Sequence, residues 1–149
     1  MNSRKILVVG SSNTDMVVKS ERLPVPGETV LGNSFMMNPG GKGANQAVAS
    51  SRLGGNVTFI TKTGNDLFGR QSIELFTEEN INTNYVFSDP NHPSGVALIM
   101  VDSLGENCIV VASGANMSLS PHDIEKSKNA FEQADILLMQ LEIPMQTVE

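Results

Sequence analysis

The sequence predicts a mixed α/β fold: a mainly parallel sheet covered by helices, with a smaller second sheet beside it. Three observations predict it. The longest apolar runs are strand-sized, helical patterns fall between them, and two extended excursions interrupt that alternation. The length of 149 residues fits one domain at a prior of about 100–200 residues each.

Lys5–Gly10 is β-branched and stops at Gly10-Ser11-Ser12, which reads as a central strand followed by a loop. Asn56–Thr61 and Asp135–Leu141 read as further strands, and Asn84–Phe87 as a short fourth. Gly43–Leu53 reads as a helix with small inward residues, Ala44 and Ala47, ending at Gly54-Gly55. Leu67–Glu79 follows the N-cap residue Asp66, with Phe68, Ile73 and Phe76 inward. Pro121–Ala134 reads as one helix, with Ser120 and Asp123 at capping-box spacing and Pro121 at the first helical position. The two excursions are Met16–Met37 and Gly95–Ala112. The second folds back at Asp102-Ser103-Leu104-Gly105, residues that favour a type I turn, so it reads as a hairpin.

Composition narrows the function. Hydrophobic residues are 40% and charged residues 17%, an ordinary globular balance. A net charge of −6 disfavours nonspecific binding to nucleic acid. No apolar run approaches the roughly 18 residues of a membrane span, and the apolar run at Ile6 is too short for a signal-peptide core. The single cysteine, Cys108, excludes an internal disulfide framework and a zinc finger, and reads as a small core residue in mid-strand. His92 and His122 beside prolines have no metal-ligand spacing. The expectation is a cytoplasmic protein that handles a small molecule.

Three places could do chemistry. Asn13 and Asp15 follow the first strand, at the carboxyl edge where open parallel sheets bind ligands. On extended backbone the two point the same way, so an amide and a carboxylate can bracket a pair of hydroxyls. The alternative is a turn whose Asn and Asp cap their own backbone. Gly40-Gly41-Lys42-Gly43-Ala44-Asn45 then opens a helix. Its glycines admit close approach, and Lys42 sits at a positive helix end that disfavours a cation, so it needs another reason such as a ligand. The alternative is a tight loop with a solvated lysine. The loop matches neither the P-loop nor the dinucleotide fingerprint. Glu142 ends an apolar strand at the same edge, either for a ligand or simply solvated. Convergence of the three would suit a polyol.

These motifs, with Pro26-Gly27-Glu28-Thr29-Val30, Thr63-Gly64-Asn65-Asp66-Leu67-Phe68-Gly69, Gly95-Val-Ala-Leu, Ser113-Gly-Ala-Asn116 and Leu137-Leu-Met-Gln-Leu-Glu142, resemble in order and spacing the ribokinase/PfkB family of sugar kinases. The resemblance runs from residue 6 to the end. It implies a Rossmann-like α/β/α ribokinase fold with a small β-sheet lid made of the two excursions. It implies that Asn13, Asp15, Gly41, Lys42, Asn45 and Glu142 contact sugar, that Ala97 and Ile99 add lid contacts, and that the lid forms a homodimer. It implies phosphoryl transfer from ATP to ribose with Mg²⁺, and a monovalent cation such as K⁺. Family members are about twice as long, and their Gly-Ala-Gly-Asp segment with the catalytic Asp does not occur here. The resemblance places that Asp beyond Glu149, so no residue of this chain is expected to be catalytic. The expectation is therefore the N-terminal part of a ribokinase-like domain, carrying the sugar site and, without the catalytic segment, inactive by itself. Other expectations from these residues are a non-catalytic sugar-binding or dimerising module, and a related kinase acting on deoxyribose, a nucleoside or another sugar.

Overall fold

A computed structural model describes residues 4–149. The elements in chain order are β1 (Lys5–Val9), β2 (Asn13–Ser20), β3 (Gly32–Gly40), α1 (Lys42–Arg52), β4 (Asn56–Gly64), α2 (Leu67–Glu78) and β5 (Val86–Asp89). They continue with β6 (Gly95–Val101), β7 (Asn107–Ala112), a 3-10 turn at Gly114–Ser118, α3 (Pro121–Lys126), α4 (Lys128–Gln133), β8 (Ile136–Met139) and α5 (Met145–Val148).

The main sheet runs β5-β4-β1-β8 and is parallel throughout. Alternation along β1 sends Val8 to one face and Leu7 and Val9 to the other. Val8 packs with Val57, Phe59, Phe76, Ala44 and Ala47, which seats α1 and α2. Phe59 and Phe76 meet edge to face, ring centroids 5.1 Å apart. On the other face Leu7 and Val9 pack with Ile60, Leu119, Ala130 and Ile143, beneath the helices α3 to α5. Because β4 and β8 leave β1 on opposite sides, the C-terminal end of β1 is a topological switch point, where open sheets place ligand crevices.

The second sheet runs β3-β2-β6-β7, so the two excursions do pair with each other. It is wider than the sequence suggests. β2 begins at Asn13 rather than Met16, and β3 continues to Gly40, because Asn13 pairs with Gly40 on one side and Gly95 on the other. Asn13 and Asp15 thus stand on a strand instead of in a self-capping turn.

Four further expectations need correction. The helix read over Pro121–Ala134 is two helices broken at Ser127. The Ser127 hydroxyl donates to the Asp123 carbonyl, and i−3 bonds from Ser127 N–H and Ala130 N–H tighten the backbone there. Cys108 is exposed, since β7 is the outer edge of a sheet with no layer over it. Coverage of every main strand on both faces also fails at β8, where Ile136, Leu137 and Met139 are exposed on the sheet edge. The short strand expected at Asn84–Phe87 forms two residues later, at Val86–Asp89.

The caps read from sequence form. Gly54 takes φ +89° after α1, and the N–H groups of Gly54 and Gly55 bond to Ser51 and Ser50 carbonyls, a Schellman ending. Ser120 and Asp123 make a reciprocal capping box, and Asp123 also takes the Lys62 ammonium at 2.9 Å. Asp66 caps α2 through the Gly69 N–H and reaches across to the root of β6 as well. There it accepts from Ser94 N–H and from Ser94 Oγ, both at 2.7 Å. Burial pushes the Asp66 carboxyl up, and these hydrogen bonds outweigh it, holding the group below its ordinary range. This latch ties the second sheet to the main one. Asp66→Ala removes a cap and strands a buried Ser94 N–H, so it should cost about 2–3 kcal/mol in urea unfolding. The latch is complete above the ordinary Asp range and fails as pH falls through the lowered folded value. The gap between wild type and variant should therefore close in acid.

Candidate functional site

The start of α1 lies directly on the end of β1. The Ala44 N–H bonds to the Ser11 carbonyl at 2.9 Å. A Cβ on Gly43 would stand 2.6 Å from Gly10 C and Ser11 N, and one on Gly41 would stand 2.8 Å from Asn13 N. Gly41 also has φ +89°, so both steric space and backbone angle call for glycine there. This contact brings the helix N-terminus, with its free N–H groups and positive dipole, to the switch point.

Glu142 occupies that position. It lies three residues beyond the end of β8 instead of on the strand. Its carboxylate accepts from Ser11 Oγ at 2.6 Å and from the Lys42 N–H at 3.1 Å, and it pairs with the Lys42 ammonium. The lysine at the unfavourable helix end is thus answered by a carboxylate of the same chain. Burial raises the Glu142 carboxyl, but the bonds from Lys42 and Ser11 prevail and hold it below its usual range. Asp15 shifts the opposite way, raised first by burial and then by the charge of Glu142. A Cβ on Gly40 would collide with the Asp15 carboxylate, so that glycine makes room for it.

A cavity of about 440 Å³ is lined by Ser11, Asn13, Val111, Asn116, Glu142 and Met145, among others. Of the residues read from sequence, Asn13 and Glu142 share one crevice; Asp15, Gly41 and Lys42 do not line it, Lys42 reaching it only through its pairing with Glu142. Ala97 pairs with Asp15 in register and Ile99 with Val17, so both lie on the Asp15 face of the second sheet. Asn45 sits exposed in the first turn of α1, in a separate surface cavity with Pro39, Ala44 and Val48. Glu149 is a carboxylate outside the crevice. It follows α5 as its C-cap, with its N–H bonded to the Met145 carbonyl at 3.0 Å, and it does not line the cavity. A different cleft of about 290 Å³, lined by Lys5, Asn56, Asn82 and Tyr85 among others, lies at the opposite end of the strands.

Sequence reasoning gave no role to Ser11, Asn116 or Gln140. Ser11 is 0% exposed yet hydrogen-bonded to Glu142, and Asn116 is 1% exposed and bonded to Asn13. Gln140 Nε2 donates to the Val9 carbonyl and fills the space beside Gly10 and Gly43. Long-range partners of this kind leave no local spacing to read. Chemically, the crevice offers the Asn13 amide and the Glu142 carboxylate, the latter paired with Lys42 at a helix N-terminus, a set that can hydrogen-bond hydroxyls.

A model of the pfkB family of carbohydrate kinases matches residues 3–147. The chain is 42% identical to a ribokinase of Haemophilus influenzae over 146 residues, covering 98% of this chain and 48% of that protein. It is 38% identical to a deoxyribokinase of Salmonella typhi, covering 96% of this chain and 47% of that one. It superposes on the structure of Arabidopsis thaliana ribokinase complexed with ribose and ATP with a TM-score of 0.81 at 35% identity, covering 99% of this chain and 49% of that one. The chain spans about half the length of these relatives.

Gly43→Ala tests the helix seating directly. The clash is with backbone, which cannot swing aside, so the substitution should cost at least about 1–3 kcal/mol by thermal or urea unfolding. Gly54→Ala, whose Cβ would meet nothing within 4 Å, should cost only the strain of its positive φ, about 1 kcal/mol.

Proposed function

This chain belongs to the pfkB family of carbohydrate kinases, and from that premise we propose that it forms the sugar-binding part of an ATP-dependent ribokinase. The observation that carries the reading is the shared crevice at the switch point, where Asn13 and Glu142 line one cavity and Asp15 stands beside it. In the proposal, Asn13 and Asp15 bracket hydroxyls of D-ribose, and Gly41 lets the backbone come close. Lys42 and Glu142 hold further hydroxyls, Ala97 and Ile99 cover the apolar side, and Asn45, which opens on a separate cavity, is left out of the set. Phosphoryl transfer is mostly positioning and charge stabilisation, so a rigid sugar cradle under a small sheet is the contribution expected of this half. The proposal assigns no catalytic residue within the chain. It puts the catalytic Asp beyond Glu149, in the portion of the relatives that this chain does not span.

The phosphoryl donor in this reading is ATP, supported by a relative whose structure holds ribose and ATP. A cytoplasmic location rests on that donor. Among the described residues no three His, Cys, Asp or Glu side chains cluster as a metal site. The proposal leaves Mg²⁺ and K⁺ to that same unspanned portion, and no step is assigned to them here. No helix of the described residues is long and apolar enough to cross a membrane.

A homodimer through the second sheet belongs to the same proposal. By register, Met16, Val18, Phe35, Met37, Leu98 and Val110 share the face opposite Asp15. Phe35, Met37, Leu98 and Val110 are exposed there, an apolar surface suited to a second copy of itself. Deoxyribose is the second reading for the substrate, favoured by the deoxyribokinase relative. A comparison of kcat/KM for the two sugars decides between them.

The test is D-ribose binding and phosphorylation by the full-length protein. Asp15→Asn should weaken ribose about ten- to hundredfold, the loss of a charge-assisted hydrogen bond. An unchanged affinity removes Asp15 from the site. Because the Asp15 carboxyl is raised, it loses its acceptor charge above the ordinary Asp range. Wild-type affinity should therefore fall early on acidification, while that of Asp15→Asn stays level. A raised folded value also means that ionised Asp15 opposes folding at neutral pH, so Asp15→Asn should not lower the melting temperature. Leu98→Asp together with Val110→Asp should shift the protein toward monomer in sedimentation.

A further inference from the structure

Asn116, in the 3-10 turn after β7, is 1% exposed and bonds on every side. Its Oδ1 accepts from the Ser12 N–H at 2.8 Å. Its Nδ2 lies 2.8 Å from Asn13 Oδ1, 2.9 Å from the Ser113 carbonyl and 3.1 Å from the Ser12 carbonyl. Turned the other way, the amide would set its oxygen against acceptors and its NH₂ against a donor. Backbone groups that cannot change polarity therefore fix its orientation. The same constraint passes to Asn13, because the atom facing Asn116 Nδ2 must be an acceptor. Asn13 Oδ1 is committed inward, and Nδ2 is what Asn13 has left for a ligand.

Gly95 is part of the arrangement. It pairs with Asn13 between β2 and β6, and a Cβ there would run into both Asn13 Oδ1 and Asn116 Nδ2. The two amides can meet only because this position carries no side chain.

We propose that Asn116 is a positioning residue that sets the hydrogen-bond polarity of the crevice: it turns the Asn13 Oδ1 inward and leaves Asn13 a donor toward the ligand, so the position selects a ligand oxygen that accepts and rejects a ligand in which that oxygen is missing. The inference rests on the sugar-site reading above and adds the residue that fixes its selectivity.

The test is a double-mutant cycle in the full-length protein, read by ribose affinity, KM and kcat, with melting temperature in parallel. Asn116→Asp is nearly isosteric and keeps the acceptor for Ser12 N–H but sets an oxygen against the Ser12 and Ser113 carbonyls, so it is read beside Asn116→Ala, which has no such repulsion, and both against melting temperature. Both variants should weaken ribose about tenfold or more, mainly in KM. Adding either to Asn13→Ala should cost less than about twofold further, since Asn116 acts through Asn13. A purely structural role predicts the reverse: the losses multiply, and they follow the melting temperature. That result, or full ribose affinity in both single variants, overturns the proposal. The Asn13 side-chain amide resonances give a readout independent of sugar. In Asn116→Asp they should shift as Asn13 turns its NH₂ toward the new carboxylate, and unchanged resonances overturn the proposal. If wild type neither binds nor phosphorylates ribose, the sugar reading fails, and the resonances alone decide the role of Asn116.

Discussion

The close approach of α1 to the end of β1 is the constraint on which the rest of the site depends. Three glycines permit it, at positions 10, 41 and 43, and each would place a Cβ into the opposing backbone or into Gln140. With the helix seated there, its N-terminal N–H groups and dipole face the crevice, and a carboxylate at that point is favoured. Glu142 supplies it from the far side of β1, and Lys42 and Ser11 hold it there. One packing contact thus joins β1, α1 and the segment after β8, which are distant in sequence.

The two carboxylates Glu142 and Asp15 are held unequally because their surroundings differ. Glu142 has an ammonium, a hydroxyl and a backbone N–H as partners, and it stays ionised more readily than a free carboxyl. Asp15 has burial and the charge of Glu142 against it, and it is raised. The protein stores an unfavourable charge at the group that has the fewest partners of its own. In the proposed sugar site, a hydroxyl donating to Asp15 offsets that cost. Asn116 and Gly95 complete the arrangement by settling which end of the neighbouring amide is presented.

The second sheet is held at its root and free along its length. Asp66 and Ser94 tie β6 to the start of α2, and Asn13 leads β2 out of the main sheet. Beyond that root the strands have solvent-exposed apolar residues on both faces, among them Ile109 and Val111 on one and Leu98 and Val110 on the other. The two faces of the sheet suit the two partners proposed, ligand and second copy.

The sequence alone determined most of what is local. The Gly54-Gly55 ending, the Ser120 capping box and the Asp66 cap form as read, because each depends on residues within one turn of each other. The pairing of the two excursions was legible too, since extended segments need partners. Tertiary structure decided the remainder. It started β2 at Asn13 and left Cys108 and β8 uncovered. It also gave Lys42 its partner Glu142, and Asn13 its partner Asn116. Those outcomes join residues a hundred or so positions apart. No periodicity encodes such contacts, because a hydrogen bond between distant segments exists only after the sheet has brought their ends together.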